Sequence, residues 1–173
     1  MKYFKRIIVI VSSLCVVSYG VLVLIIGYPV VLNISPNIHH STATCIKGQS
    51  VSPLSGFDFN SGKWSAYLLM SNEDYKLIKG DLIGCKLMTN DISILDRLKK
   101  ECEFTYTDGD IATVTSSFIL YKDGNKVFET GIVIEESMQG FQSQDYGWIT
   151  AKHNLINAFN GFNKIKSPMI ILK

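Results

Sequence analysis

Apolar residues follow two regimes along this chain. From Ile7 to Leu32 (IIVIVSSLCVVSYGVLVLIIGYPVVL) no charged residue occurs, whereas charges recur steadily from Lys47 to the end. About 20 helical residues cross a bilayer core, so the run predicts a membrane-spanning helix over 7–32 behind a short basic head, residues 1–6. Ser12, Ser13, Ser18, Tyr19, Gly20 and Gly27 are compatible with lipid, because helical hydrogen bonding and close packing satisfy small polar groups. Pro29 falls at the outer end, where a break in the helix costs little. A secretory signal has an apolar core of about 7–15 residues and a small-x-small cleavage site. This run is far longer, and its nearest imitation of such a site, Ser41-Thr42-Ala43, lies well downstream. Leu14 also stands where a lipoprotein signal before Cys15 needs a small residue. The pattern therefore predicts an uncleaved anchor. Lys2, Lys5 and Arg6 precede it and the next basic residue is Lys47, which places the N-terminus in the cytoplasm and everything after Leu32 outside.

Residues 33–62, rich in Ser, Thr, Asn, Gly and Pro, show neither helical nor alternating spacing and read as a tether, with Phe57 and Phe59 near its end docking on the domain beyond it. From residue 63 to 173 the pattern tightens into an α+β domain with an antiparallel sheet and about two helices. Lys63–Met70 predicts a strand, Ser71–Asp74 a turn and Leu82–Met88 a second strand. Asp91–Cys102 has helical spacing, with Ile92, Leu95 and Leu98 on one face and Asn90 or Asp91 as N-cap. Asp108-Gly109 and Lys122–Asn125 separate three runs rich in β-branched and aromatic residues, 103–107, 111–121 and 126–135, which predicts a three-stranded meander. Ser137–Gly147 reads as a polar loop, Ala151–Phe162 as a helix burying Leu155, Ile156, Phe159 and Phe162, and Ser167–Leu172 as a last strand.

Charge then narrows the function classes. Residues 1–32 carry three basic and no acidic groups, while the rest carries 14 basic and 15 acidic ones, with Arg97 its single arginine. A near-neutral domain of this kind lacks the basic footprint of a nucleic-acid binder. The 47% hydrophobic content and mean hydropathy of +0.19 exclude a disordered chain.

Cys15 lies within the span; Cys45, Cys85 and Cys102 would meet an oxidising compartment. Cys85 and Cys102 flank a predicted turn and helix and are the expected disulfide, contributing on the order of 3 kcal/mol. Cys45, in the tether, could compete or stay free. No C-x-x-C or H-x3-H spacing supports a metal site. His39-His40 reads as solvated, and the sequon Asn33-Ile34-Ser35 is discounted because it abuts the membrane and precedes Pro36.

No catalytic residue is assigned and no cofactor is expected. His153 is the one histidine of the predicted domain and belongs to its last predicted helix; there is no G-x-S-x-G, and the carboxylates Asp108, Asp110, Glu135 and Glu136 sit at a turn and a strand end. Phe141, Tyr146 and Trp148, aromatics in and beside a polar loop, are the candidate contact surface, against the plainer reading that they are core. The expectation is a single-pass protein of a bacterial inner membrane whose periplasmic domain binds an envelope protein, as regulator, accessory subunit or immunity factor. A tethered envelope hydrolase or a small-ligand sensor is the alternative.

Overall fold

The computed structural model describes residues 2–26, 30–34, 36, 44–78, 80–109, 113–167 and 169–172. Helix α1, Lys2–Ile26, includes the basic head. Within it Tyr3–Val23 has a mean hydropathy of 2.2 and is long and apolar enough to cross a membrane. Its side chains from Tyr3 to Tyr19 are all exposed, so it is not a core helix. The apolar run does not stay helical to its end. Val30–Asn33 forms strand β1, which pairs in parallel with the C-terminal strand β11, Met169–Leu172. Pro29 and the pair His39-His40 lie outside the described residues, as does Ser35 of the sequon.

The expected tether is integrated at its C-terminal end. Ser50–Val51 is strand β2, and Leu54 and Phe59 are wholly buried. Phe57 and Phe59 dock as expected, their rings meeting the Trp64 ring edge-on at centroid distances of 5.6 and 4.9 Å.

Among the described residues nine strands form one sheet in which every neighbouring pair is antiparallel. Besides β2 they are β3 (Trp64–Leu69), β4 (Lys86–Thr89), β5 (Phe104–Gly109), β6 (Ser116–Lys122), β7 (Asn125–Ile134), β8 (Gln139–Ser143), β9 (Gly147–Ala151) and β10 (Asn163–Lys164). Their order is β10-β4-β3-β6-β7-β8-β9-β5-β2. The fold is α+β, as expected. The β6–β7 hairpin also agrees with the sequence: Asp123 and Gly124 at its tip have φ of 52° and 83°, the double positive φ that Asp-Gly supplies to a tight hairpin. The meander, however, runs β6-β7-β8-β9, and β5, predicted as the first strand of the triplet, lies between β9 and β2 instead of beside β6. Asp108 spends its positive φ of 56° inside β5, beside a register shift between Tyr106 and Gly109, rather than in a turn to β6. The predicted loop 137–147 is largely β8 and the start of β9.

Among the described residues the domain has three helices where two were expected. Ser71–Asp74 starts α2 (Asn72–Leu77), Ser71 Oγ accepting from the Asp74 N–H. Helix α3 (Ile92–Glu101) is capped by Asp91 and buries Leu95 and Leu98, with Ile92 exposed. The last helix, α4 (Leu155–Ala158), is one turn long and capped by Asn154, and Phe159 and Phe162 reach the core from the turns after it.

The main core lies on one face of the sheet, where Phe104, Phe118, Phe128 and Phe141 from β5 to β8 meet Leu95, Leu98, Leu155 and Phe159. A smaller cluster lies elsewhere: Leu69, Ile119 and Tyr121 pack under Ile170 and Leu172 of the β1–β11 ribbon.

The predicted disulfide is absent: Cys85 and Cys102 are not joined. Cys85 immediately precedes β4, whereas α3 carries Cys102 to the start of β5, and five strands stand between β4 and β5 in the sheet. Both side chains are buried. Burial pushes the Cys85 thiol up, against a smaller pull from Lys86, and pushes the Cys102 thiol far above its ordinary value. Such thiols are inert, because the nucleophilic thiolate is suppressed. Maleimide labelling of the native chain is therefore expected to spare Cys85 and Cys102 and to modify them only after unfolding, while half-buried Cys45 reacts earlier. A Cys85–Cys102 cross-link in non-reducing peptide maps would overturn this assignment.

Candidate functional site

The three aromatic contact candidates do not form one surface. In the β8–β9 register Phe141 opposes Ile149 and Gln142 opposes Trp148, so the strand period sends Phe141 and Trp148 to opposite faces. Phe141 is 1% exposed, its ring 4.4 Å from that of Phe104. Trp148 is buried on the other face, where its Nε1 donates to Thr150 Oγ1 at 3.1 Å. Tyr146 is half-buried in the β8–β9 turn, and burial first, then the Asp145 carboxylate, push its phenol up. Burial of Phe141 and Trp148 removes them as surface anchors.

A polar groove instead runs past the β7–β8 turn. Glu135 and Met138 exchange backbone hydrogen bonds of 3.0 and 3.3 Å, leaving Glu136 and Ser137 at the tip. Opposite, the chain leaves β9 through Lys152 and His153, and Asn154 turns it into α4. One side-chain tie fixes the two walls: Gln139 Oε1 accepts from the Leu155 N–H at 2.6 Å. Between them lies a depression of about 350 Å³. A neighbouring depression of about 430 Å³ shares Glu136, Gln139 and Asn154 with it and extends along α4 to Asp81, Asn157 and Asn160.

The side chains of Asp81, Glu136, Ser137, His153 and Asn157 are exposed and make no hydrogen bond among the described residues. Their donors and acceptors are thus available to a ligand. Apolar surface accompanies them: Met138 lines the groove, and Leu77 and Ile83, both mostly exposed, flank Asp81 in the chain. Mixed apolar and hydrogen-bonding surface is the composition of protein–protein contacts. Ser137, His153 and Glu136 have the residue types of a hydrolytic triad, but no hydrogen bond joins them, and His153 precedes the helix rather than belonging to it. An unlinked serine is not activated as a nucleophile.

A second polar cluster escaped the sequence pattern. The Ser116 hydroxyl donates to the Asp74 carboxylate and accepts from the Ser71 N–H at 2.9 Å, and Thr115 Oγ1 donates to Asp74 at 3.0 Å. Lys86 donates to the Met70 carbonyl, and burial holds its ammonium pKa below the ordinary value. A depressed lysine near a serine is a reactive pairing elsewhere, yet Ser116 is 3% exposed and its proton is committed to a carboxylate. The cluster pins α2 to the start of β6. Its signal in the sequence was Ser71 three residues before Asp74, a helix cap that resembles a turn.

Among the described residues no group of three or more His, Cys, Asp or Glu side chains is placed to hold a metal ion. No protein-family model, no curated protein and no solved structure matches the chain.

Proposed function

We propose that this chain is a membrane-anchored binding protein, whose α1 crosses a bacterial inner membrane with its N-terminus inside and whose domain offers the groove to an envelope protein in the periplasm. It acts there as a regulator, accessory subunit or immunity factor. The observation carrying this reading is the groove itself, where the exposed side chains of Asp81, Glu136, Ser137, His153 and Asn157 keep uncommitted hydrogen-bonding groups on a domain with a closed aromatic core. Anchoring supports the reading physically, because confinement raises the domain's effective concentration near a membrane partner.

Position-specific photo-crosslinking in intact membranes tests it. A photoreactive residue at Asn157 is expected to give one stoichiometric adduct, whereas one at Asn60, outside the groove, gives none. Glu136→Lys combined with Asp81→Lys, both lining the groove beside Asn157, is expected to reduce that adduct at least about tenfold, the loss of roughly 1.4 kcal/mol of binding. Equal adducts from both positions, or recovery of the chain alone, would refute the proposal. The hydrolase reading keeps one foothold in the shared groove of Ser137, His153 and Glu136; a turnover lost in both Ser137→Ala and His153→Ala would establish it.

A further inference from the structure

The ribbon of β1 and β11 has two unlike faces. Val31, Ile170 and Leu172 turn inward onto the sheet. Val30, Leu32, Met169 and Ile171 turn outward, with exposures between 38% and 51%, and Ile34 just beyond is 65% exposed. These are not scattered residues, because Val30 opposes Met169 and Leu32 opposes Ile171 in the register, which makes one contiguous apolar face. Isolated exposed apolar residues need no explanation, but a continuous patch does. The ribbon is also firmly held. The Ile34 N–H donates to the Leu172 carbonyl at 2.8 Å, and Asn33 Nδ2 reaches Glu129 Oε1 at 3.5 Å, a carboxylate already paired with the buried Lys126 ammonium at 2.5 Å.

Chain geometry limits how far this ribbon can lie from the end of α1. Helix α1 has 25 residues, roughly 37 Å of helix, against a hydrocarbon core of about 30 Å. Val30 is four residues beyond Ile26, so it lies no more than about 14 Å from the end of α1. Headgroups add several ångströms on each side of the core, which brings β1 to the membrane–water boundary. Charge agrees: between β9 and β11 the stretch that leads into the ribbon carries Lys164 and Lys166 and no acidic residue. Lysines flanking an apolar surface suit an anionic lipid interface.

We propose that the outward face of the β1–β11 ribbon rests in the headgroup layer of the bilayer that α1 crosses, and so sets the orientation of the domain on the membrane. The proposal rests on α1 being a membrane anchor, and the experiment separates the two. Full-length protein with Cys15→Ser and Cys45→Ser is labelled with an environment-sensitive fluorophore at Met169→Cys, at Val16→Cys in α1, or at Asn157→Cys in the groove. Each is reconstituted into vesicles of phosphatidylcholine and phosphatidylglycerol containing nitroxide lipids. The Val16 label should be quenched by deep nitroxides, the Met169 label blue-shifted and quenched by shallow ones, and the Asn157 label by neither. Leu32→Glu with Ile171→Glu should return the Met169 label to aqueous emission and leave the Val16 label unchanged.

A lipid-buried Val16 label with an aqueous Met169 label would overturn the ribbon contact and leave the anchor standing. A Met169 label that is shielded without lipid quenching, and that transfers energy between labelled copies, would overturn it in favour of a second chain. An aqueous Val16 label would remove the anchor, and the proposal with it.

Discussion

Phe118→Ala is expected to lower the stability of the domain by about 3–5 kcal/mol, the usual cost of truncating a fully buried aromatic. Phe118 is 0% exposed and sits on β6, between β3 and β7. Its ring lies 6.1 Å from Phe128, 5.9 Å from Phe141 and 5.5 Å from Phe159, so it joins the sheet to the turns around α4. Neighbouring strands cannot close the cavity without breaking their own ladder, which argues for the upper part of the range. Domains are commonly stable by only about 5–15 kcal/mol, so the variant should unfold at much lower denaturant. Phe57→Ala is the control. Its ring also joins the cluster, but the side chain is half-buried at the margin, and about 1–2 kcal/mol is expected. Urea titrations of the full chain in detergent, with tryptophan fluorescence as the signal, measure both. A Phe118→Ala loss below about 1 kcal/mol would mean that the cluster does not hold sheet and α4 together.

What was legible in the sequence was what is decided locally. Asp91 before an amphipathic run locates α3, and Asp123-Gly124 between two β-branched runs locates the β6–β7 hairpin. Hydropathy locates α1, but it cannot mark the helix end, because Val30–Leu32 are equally apolar whether they cross lipid or line a ribbon paired with Met169–Ile171 at the far end of the chain. The β8 strand was hidden for a related reason: Gln139, Gly140 and Gln142 leave Phe141 as its sole large apolar residue, so the alternation is faint. Helix α4 was overextended because Leu155, Ile156, Phe159 and Phe162 imitate a helical face, while Asn157, Asn160 and Gly161 withhold the propensity to continue it. The groove needs the β7–β8 turn to meet the β9–α4 bend, a contact that no local pattern encodes. Its residues stood out in the sequence only singly, as the solvated carboxylate Glu136 and the lone His153.

Gly140→Ala is expected to destabilise the domain by about 3 kcal/mol, at the upper end of ordinary overpacking. Gly140 pairs with Thr150 in the β8–β9 ladder, and a Cβ built there would overlap the Ile149 carbonyl oxygen and stand 2.6 Å from Trp148 Cζ2. The indole thus lies where Gly140 has no side chain, which explains how Trp148 is only 5% exposed outside the main core. Two obstacles of different kind make the prediction separable. In a Trp148→Ala background the indole is gone but the carbonyl remains, so Gly140→Ala should still destabilise, by about 1 kcal/mol less than in the parent chain, a coupling of the size contacting residues show. Thermal unfolding of the four chains, with near-ultraviolet dichroism to monitor the aromatic environment, closes the cycle. A neutral Gly140→Ala would overturn the Gly140–Thr150 register. A slip of one residue would then turn Phe141 away from Phe104 and Phe118, because the strand period moves every β8 side chain to the other face. The cost of one methyl group at Gly140 therefore tests the register on which both the aromatic core and the Gln139 tie of the groove depend.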